Sequence, residues 1–442
     1  MIMNIYFVSL GCDKNLVDSE HMLAILQSHG YQMTDDEQQA DIIVINTCCF
    51  INDAKEESIQ TILDMGRLRT EGKIKALIVT GCLAQRYRDE IRSQIPEVDA
   101  VVGTSSWDRI AEAIEQVLSG SRSEIFEDIS ALPRKASGRV VTTGGHYAYL
   151  KIAEGCDKNC TYCIIPKVRG KYRSIPMEEL LEEAGKLADG GAKELILVAQ
   201  ETTLYGTDLY GRKVLHELIQ KLCAIPGIHW VRLLYCYPEE IYPELVDTMQ
   251  REEKFCHYLD LPIQHCNDTI LRRMGRRMTK AQLIHILQNL RERIPDIVMR
   301  TTLITGFPGE TQEQHEEMMA FVDETEFDRL GVFAYSQEEN TPAALMPDQI
   351  PEETKNAWRD ELMELQQEVS ADLGQRRVGT EVLAMIEGKA VDEDVYVART
   401  QADAPGVDGY LFLKTEETLC SGDFVRAKVK QAGEYDLIGE LL

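Results

Sequence analysis

Short apolar runs alternate with stretches of helical spacing from Ile5 to Leu118, a rhythm that predicts strands and helices in turn. Ile5 to Leu10 reads as a strand ending at Gly11-Cys12, and Leu16 to His29 as a helix stopping at Gly30. Asp41 to Asn46, built on Ile42-Ile43-Val44-Ile45, ends at Thr47-Cys48 before a helix from Ala54 to Arg69. Lys75 to Thr80 ends at Gly81-Cys82, again before a helix, and Val98 to Val102 with a helix from Asp108 to Leu118 completes the series. A βα series of this kind folds as a parallel sheet with helices on its faces.

The pattern lapses between Glu124 and Gly145, where Pro133, Arg134, Lys135 and Gly144-Gly145 read as a linker. Alternation resumes in Tyr147-Ala148-Tyr149-Leu150-Lys151-Ile152, a strand by its period and its tyrosines. Further strands follow near Glu194 to Ala199, His229 to Tyr235, His257 to Ile263, Val298 to Thr305 and Asp328 to Tyr335, with helical stretches between them. Six βα units predict a partial (β/α)6 barrel of TIM-like type, with its chemistry at the C-terminal ends of the strands. After a charged helix from Trp358 to Leu373 come short β segments at Glu381 to Ile386, Val395 to Arg399, Gly409 to Leu413 and Phe424 to Lys430, which predict a small antiparallel β-barrel, OB-like in form. The expected domains are therefore 1–124, a linker at 125–145, 146–375 and 376–442.

Composition narrows the class. Hydrophobic residues make up 44% and charged residues 27%, as in a soluble globular protein. A net charge of −27 repels phosphate backbones and attracts basic proteins, so nucleic acid is an unfavoured direct substrate. The C-terminal module agrees, with eight Lys or Arg against thirteen Asp or Glu from Arg376 onward. Twelve cysteines in 442 residues are too few for a disulfide scaffold, and the opening residues lack a basic leader. Together with the lack of any span-length apolar run, this predicts a cytoplasmic protein with reduced thiols and no membrane association.

Those thiols carry the chemistry. Cys156, Cys160 and Cys163 stand at C-x3-C-x2-C spacing on the loop leaving the Tyr147 strand. Three soft thiolates on one loop suit an iron-sulfur cluster or zinc, but zinc normally takes a second pair, and none follows at that distance. Three ligands on a four-iron cluster leave one iron open, a vacancy that can chelate S-adenosylmethionine. Cys12, Cys48 and Cys82 each end a successive parallel strand, the sheet edge where ligands gather, so a second 4Fe-4S cluster is expected there. Cys49 neighbours Cys48 but points oppositely in extended chain. Cys223, Cys236, Cys256 and Cys266 have no ligand spacing.

With Tyr162 just before its last cysteine, the C-x3-C-x2-C loop resembles the radical SAM signature. The whole chain is similar to the methylthiotransferases of that superfamily, in Ser9-Leu10-Gly11-Cys12-Asp13-Lys14-Asn15-Leu16-Val17-Asp18-Ser19-Glu20, Asn46-Thr47-Cys48 and Thr80-Gly81-Cys82. The resemblance implies an N-terminal cluster domain, a radical SAM barrel and a C-terminal TRAM domain. Two branches compete, one acting on an adenosine of transfer RNA and one on an aspartate of the small-subunit ribosomal protein numbered twelve. Lys14-Asn15-Leu16-Val17-Asp18 and Tyr258-Leu259-Asp260-Leu261-Pro262-Ile263-Gln264-His265 are similar to the ribosomal branch. That branch implies two 4Fe-4S clusters, S-adenosylmethionine, methylthiolation at the aspartate β-carbon, and a reductant protein as partner. Tyr162, Gln200, Arg232 and Arg300, near or on strand ends, are expected to position the cofactor. A reading of another class, an iron-sulfur sensor or scaffold docking a basic partner, would bind S-adenosylmethionine weakly and turn nothing over.

Overall fold

The computed structural model describes residues 3–134, 138–390 and 394–442; Met1 and Ile2 of the opening and Lys135 of the expected linker lie outside them. The chain divides into two compact units that do not follow its order. The first comprises Met1–Thr142, Lys151–Ile175 and Ser336–Ala344, and the second Thr143–Leu150, Pro176–Tyr335 and Leu345–Leu442.

In the first unit, β1 (Asn4–Ser9), β2 (Gln32–Thr34), β3 (Ile42–Thr47), β4 (Ala76–Gly81), β5 (Ala100–Val102) and β6 (Ser123–Ile125) form one sheet in the order β2-β1-β3-β4-β5-β6. Every pair is parallel. Successive side chains of a strand point to opposite faces, and the core divides accordingly. Ile42, Val44, Ala76 and Ile78 pack with Met22 and Leu26 of α1 (Asp13–Ser28), whereas Ile43, Ile45, Leu77 and Val79 pack with Ile62 and Leu68 of α2 (Asn52–Thr70). Ile164 and Val168, from the stretch just after Cys163, are buried in the second of these clusters. The cysteine loop is thereby anchored in the core of the N-terminal sheet, which explains its place in the first unit. The late part of the expected linker is fastened too: Arg139 Nε donates to Glu20 at 2.7 Å and Thr142 Oγ1 at 2.8 Å, and Glu20 is fully buried.

Two residues of β7 (Tyr147–Lys151) further on, β8 (Ala153–Glu154) pairs antiparallel with β9 (Arg173–Ser174), so a two-stranded ribbon closes the base of the cysteine loop. In the second unit, β10 (Glu194–Val198), β11 (Trp230–Leu233), β12 (Phe255–Asp260), β13 (Val298–Thr305) and β14 (Arg329–Ala334) follow β7 in the sheet order β14-β13-β12-β11-β10-β7. Sequence order and spatial order coincide, as in an open βα barrel.

A closed barrel of β15 (Glu381–Lys389), β16 (Val395–Thr400), β17 (Leu411–Lys414), β18 (Phe424–Ala432) and β19 (Leu437–Leu441) ends the chain. It is antiparallel except that β17 and β19 run parallel. It packs against the βα strands, where Met385 and Ala404 join Ile196, Trp230 and Tyr258 in one buried cluster. No described helix is long and apolar enough to cross a membrane.

Candidate functional site

The three early cysteines converge as their strand ends require. Cys12 caps the N-terminus of α1 just beyond β1, Cys48 follows β3, and Cys82 opens α3 (Cys82–Arg86) directly after β4. Side-chain amides tie these ends together. Asn15 Nδ2 donates to Leu10 O and Thr47 O, both at 3.0 Å, and Asn46 Nδ2 donates to Asn15 O and Ser19 Oγ, both at 2.9 Å. Two glycines permit the approach. Gly11 has φ +91°, and a Cβ there would lie 2.9 Å from the Cys48 sulfur; Gly81 has φ +91°, and a Cβ there would lie 2.5 Å from Thr47 O.

Burial pushes the Cys48 thiol up to about 12, and the neighbouring sulfurs of Cys82 and Cys12 push the same way. Cys82 is likewise raised by burial, against the pull of the Arg169 guanidinium. Sulfurs that repel one another when ionised need a cation between them, so the donor set fits a thiolate-bound metal cluster. All twelve cysteines are free thiols. Among the described residues no three His, Cys, Asp or Glu side chains close on the point that a single ion would occupy. Ligands of a four-iron cluster bind different irons and stand farther apart than those of zinc. Cys49 is fully buried, and its carbonyl accepts Arg86 Nη1 at 3.2 Å.

The later trio is shaped by its own loop. Cys156 N donates to Gly170 O at 3.1 Å and Cys163 N to Cys160 O at 3.1 Å, which folds the loop back on itself. Asn159 takes the left-handed region at φ 55° and donates through Nδ2 to Asp157 O at 2.8 Å. Cys156 and Cys160 are buried, while Tyr162 and Cys163 are half-buried. The strap Ser336–Ala344 lies against both regions of this unit: Ala343 N donates to Thr161 O at 2.9 Å, and Arg86 Nη1 pairs with Glu338 at 2.7 Å.

A buried polar cluster joins the two trios. Arg169 Nε donates to the Cys82 sulfur at 3.4 Å, Nη1 to Asp18 at 2.7 Å and to Glu154 at 3.2 Å, and Nη2 to Asn15 Oδ1. Lys151 Nζ pairs with Asp18 and, at 2.8 Å, with Glu154. Burial works against the Glu154 carboxylate, yet Lys151 and Arg169 outweigh it and hold the group down at about 2. None of these roles was expected for Arg169, Lys151 or Glu154. The only sequence signal was that Asn15 and Asp18 belong to the motif around Cys12 and that Glu154 stands two residues before Cys156.

The residues expected to position a cofactor fare differently. Gln200 stands half-buried, two residues beyond the end of β10. Arg232 has other work: it is fully buried, with Nε on Glu194 at 2.7 Å and Nη1 on the carbonyl of Gln401 at 2.7 Å. Arg300 pairs with Asp260 at 3.2 Å and Asp408 at 3.4 Å. Both arginines therefore hold the terminal barrel to the βα strands, and the cofactor role expected of them is withdrawn. His265 is a satisfied buried histidine, bonded to Glu310 at 3.2 Å and accepting Asn267 N at 2.9 Å.

Comparison with known proteins defines the class first. Residues 4–103 match the uncharacterized protein family UPF0004, residues 150–322 the radical SAM superfamily and residues 378–442 the TRAM domain. The fold is similar to that of the radical S-adenosylmethionine methyltransferase TsrM from Kitasatospora setae, solved with cobalamin and a 4Fe-4S cluster bound. That likeness has a TM-score of 0.56 at 13% identity over 78% of this chain and 74% of that one. Over its full length the chain is 58% identical to the ribosomal protein uS12 methylthiotransferase RimO of Lachnoclostridium phytofermentans, across 437 residues and 99% of each chain. It is 48% identical to the protein of the same name from Pelotomaculum thermopropionicum, across 441 residues, 100% of this chain and 99% of that one. The chain belongs to the RimO family of radical SAM methylthiotransferases.

Proposed function

We propose that this enzyme adds a methylthio group to the β-carbon of an aspartate in the small-subunit ribosomal protein uS12. One observation carries the reading: Arg169 bonds at once to Cys82 of the early trio and to Glu154, two residues before Cys156 of the later one. Both sets of sulfur ligands thus belong to a single packed unit, as a transfer of sulfur to a substrate radical requires. Cys156, Cys160 and Cys163 would hold one 4Fe-4S cluster and Cys12, Cys48 and Cys82 a second. With S-adenosylmethionine bound, such clusters supply hydrogen abstraction from an unactivated carbon and a methylated sulfur, chemistry that no protein base near neutral pH performs on so weakly acidic a C–H bond.

The chain's own residues bind and orient. Tyr162, held between Cys160 and Cys163, and Gln200, just past β10, are the residues assigned to cofactor positioning. Ser58 Oγ accepts from Cys48 N at 3.0 Å and donates to Cys48 O at 2.8 Å, which fixes the backbone that presents the Cys48 sulfur. The net charge of −27 favours a basic protein over transfer RNA as substrate, and a separate reductant protein completes the partners.

Mass spectrometry of uS12 from cells with and without the gene tests the substrate. One aspartate is expected to lose a methylthio mass in the deletion strain and regain it on complementation, but not with Cys156→Ala. Unmodified uS12 in both strains, with altered transfer RNA in the deletion, would overturn the assignment.

A further inference from the structure

Building on the two-cluster reading, we propose that Arg169 is a positioning residue for the N-terminal cluster, one whose guanidinium fixes the Cys82 sulfur and sets how readily that cluster accepts an electron. The side chain is 2% exposed, so its charge acts without the screening that water gives. Its fork is fully directed: Nε on Cys82 at 3.4 Å, Nη1 on Asp18 at 2.7 Å and Glu154 at 3.2 Å, and Nη2 on Asn15. These partners come from three distant segments, and a planar fork meets such a set where a lysine ammonium could not.

The charges around it decide the sign. Asp18 and Glu154 are negative, Arg169 and Lys151 positive, and all four are nearly out of solvent. Within this balanced set the Nε–H bond to sulfur remains as a positive contribution aimed at one cluster ligand. Reduction adds negative charge to the cluster, and hydrogen bonds and net charge at its sulfurs set the potential. Arg169 therefore makes the N-terminal cluster easier to reduce, and Asp18, by neutralising Arg169, moderates the effect. A residue that only filled space would give no such opposed pair.

The test uses the full-length chain with Cys156, Cys160 and Cys163 replaced by alanine and reconstituted anaerobically, so that any cluster signal belongs to the early trio. Midpoint potential is followed by electron paramagnetic resonance during a reductive titration, and iron is measured on each sample. Arg169→Gln is expected to shift the midpoint negative, Asp18→Asn to shift it positive, and Arg169→Lys to fall between Arg169→Gln and the parent. Should Arg169→Gln fail to fold, the opposed shifts of Arg169→Lys and Asp18→Asn carry the same test. No iron in the alanine background would overturn the two-cluster reading itself. Iron present with an unmoved midpoint, or with the arginine and aspartate variants shifting alike, would overturn the role of Arg169.

Discussion

Gly81 shows how little freedom the strand ends have. At φ +91° with Thr47 O 2.5 Å and Asn46 Oδ1 nearer still to any added Cβ, Gly81→Ala meets both backbone strain and a clash that no flexible side chain can relieve. The substitution should cost about 1–3 kcal/mol in urea denaturation and lower iron bound per chain, because Cys82 is the next residue. An unchanged denaturation midpoint would argue against this packing. Residues at this scale were unevenly legible. The early cysteines were readable because each follows an apolar strand through a short polar turn, a local pattern. Arg169 was not, because its partners Asp18 and Cys82 are 151 and 87 residues away. Arg232 and Arg300 were misassigned for a related reason: alternation tells which face of a strand a side chain takes, but not what covers that end of the barrel.

Among the elements, the longer strands and helices of both βα regions follow the hydrophobic rhythm closely. The pieces that escaped were short, namely the three-residue strands β2 and β6 and the ribbon of β8 and β9, which hold too few positions to display a period. The strand β19 and its parallel pairing with β17 also escaped, since long-range pairing leaves no mark in local sequence. The contact between β10 and the terminal barrel yields a prediction of its own. Glu194 is fully buried between Arg232 at 2.7 Å and Arg399 at 2.5 Å. Glu194→Gln would leave two buried cations short of their partner and should cost about 3–5 kcal/mol by thermal or chemical denaturation. Burial opposes the Glu194 carboxylate, but Arg399 and Arg232 prevail and hold it below the usual range. A depressed acid contributes stability above its unfolded value and loses it as pH falls through the folded one. Wild-type stability should therefore drop on acidification below the ordinary carboxylate range, and the Gln variant should show a smaller drop. Parallel acid curves would contradict the assignment.

Across the whole molecule, the terminal barrel is a structural part of the second unit as well as a module in sequence. Its Met385 and Ala404 cover Ile196, Trp230 and Tyr258. Removing residues 378–442 should uncover that surface, raising the fluorescence of an apolar dye and lowering soluble yield. A well-behaved truncated chain with no added dye binding would count against it. The three architectures, a parallel sheet, a βα barrel and a small closed β-barrel, were legible from changes of rhythm along the chain. The regrouping of Lys151–Ile175 and Ser336–Ala344 with the N-terminal sheet was not, since it depends on Ile164 and Val168 finding a core laid down by far earlier residues. That regrouping also bears on biosynthesis. A polypeptide emerging from the ribosome has its early parallel sheet long before the strap, yet the strap clasps Arg86 and the cysteine loop only once Ala343 has been translated. Until then Arg86 and the cysteine loop lack those partners, so the bonds made by the strap are among the last of this unit to form.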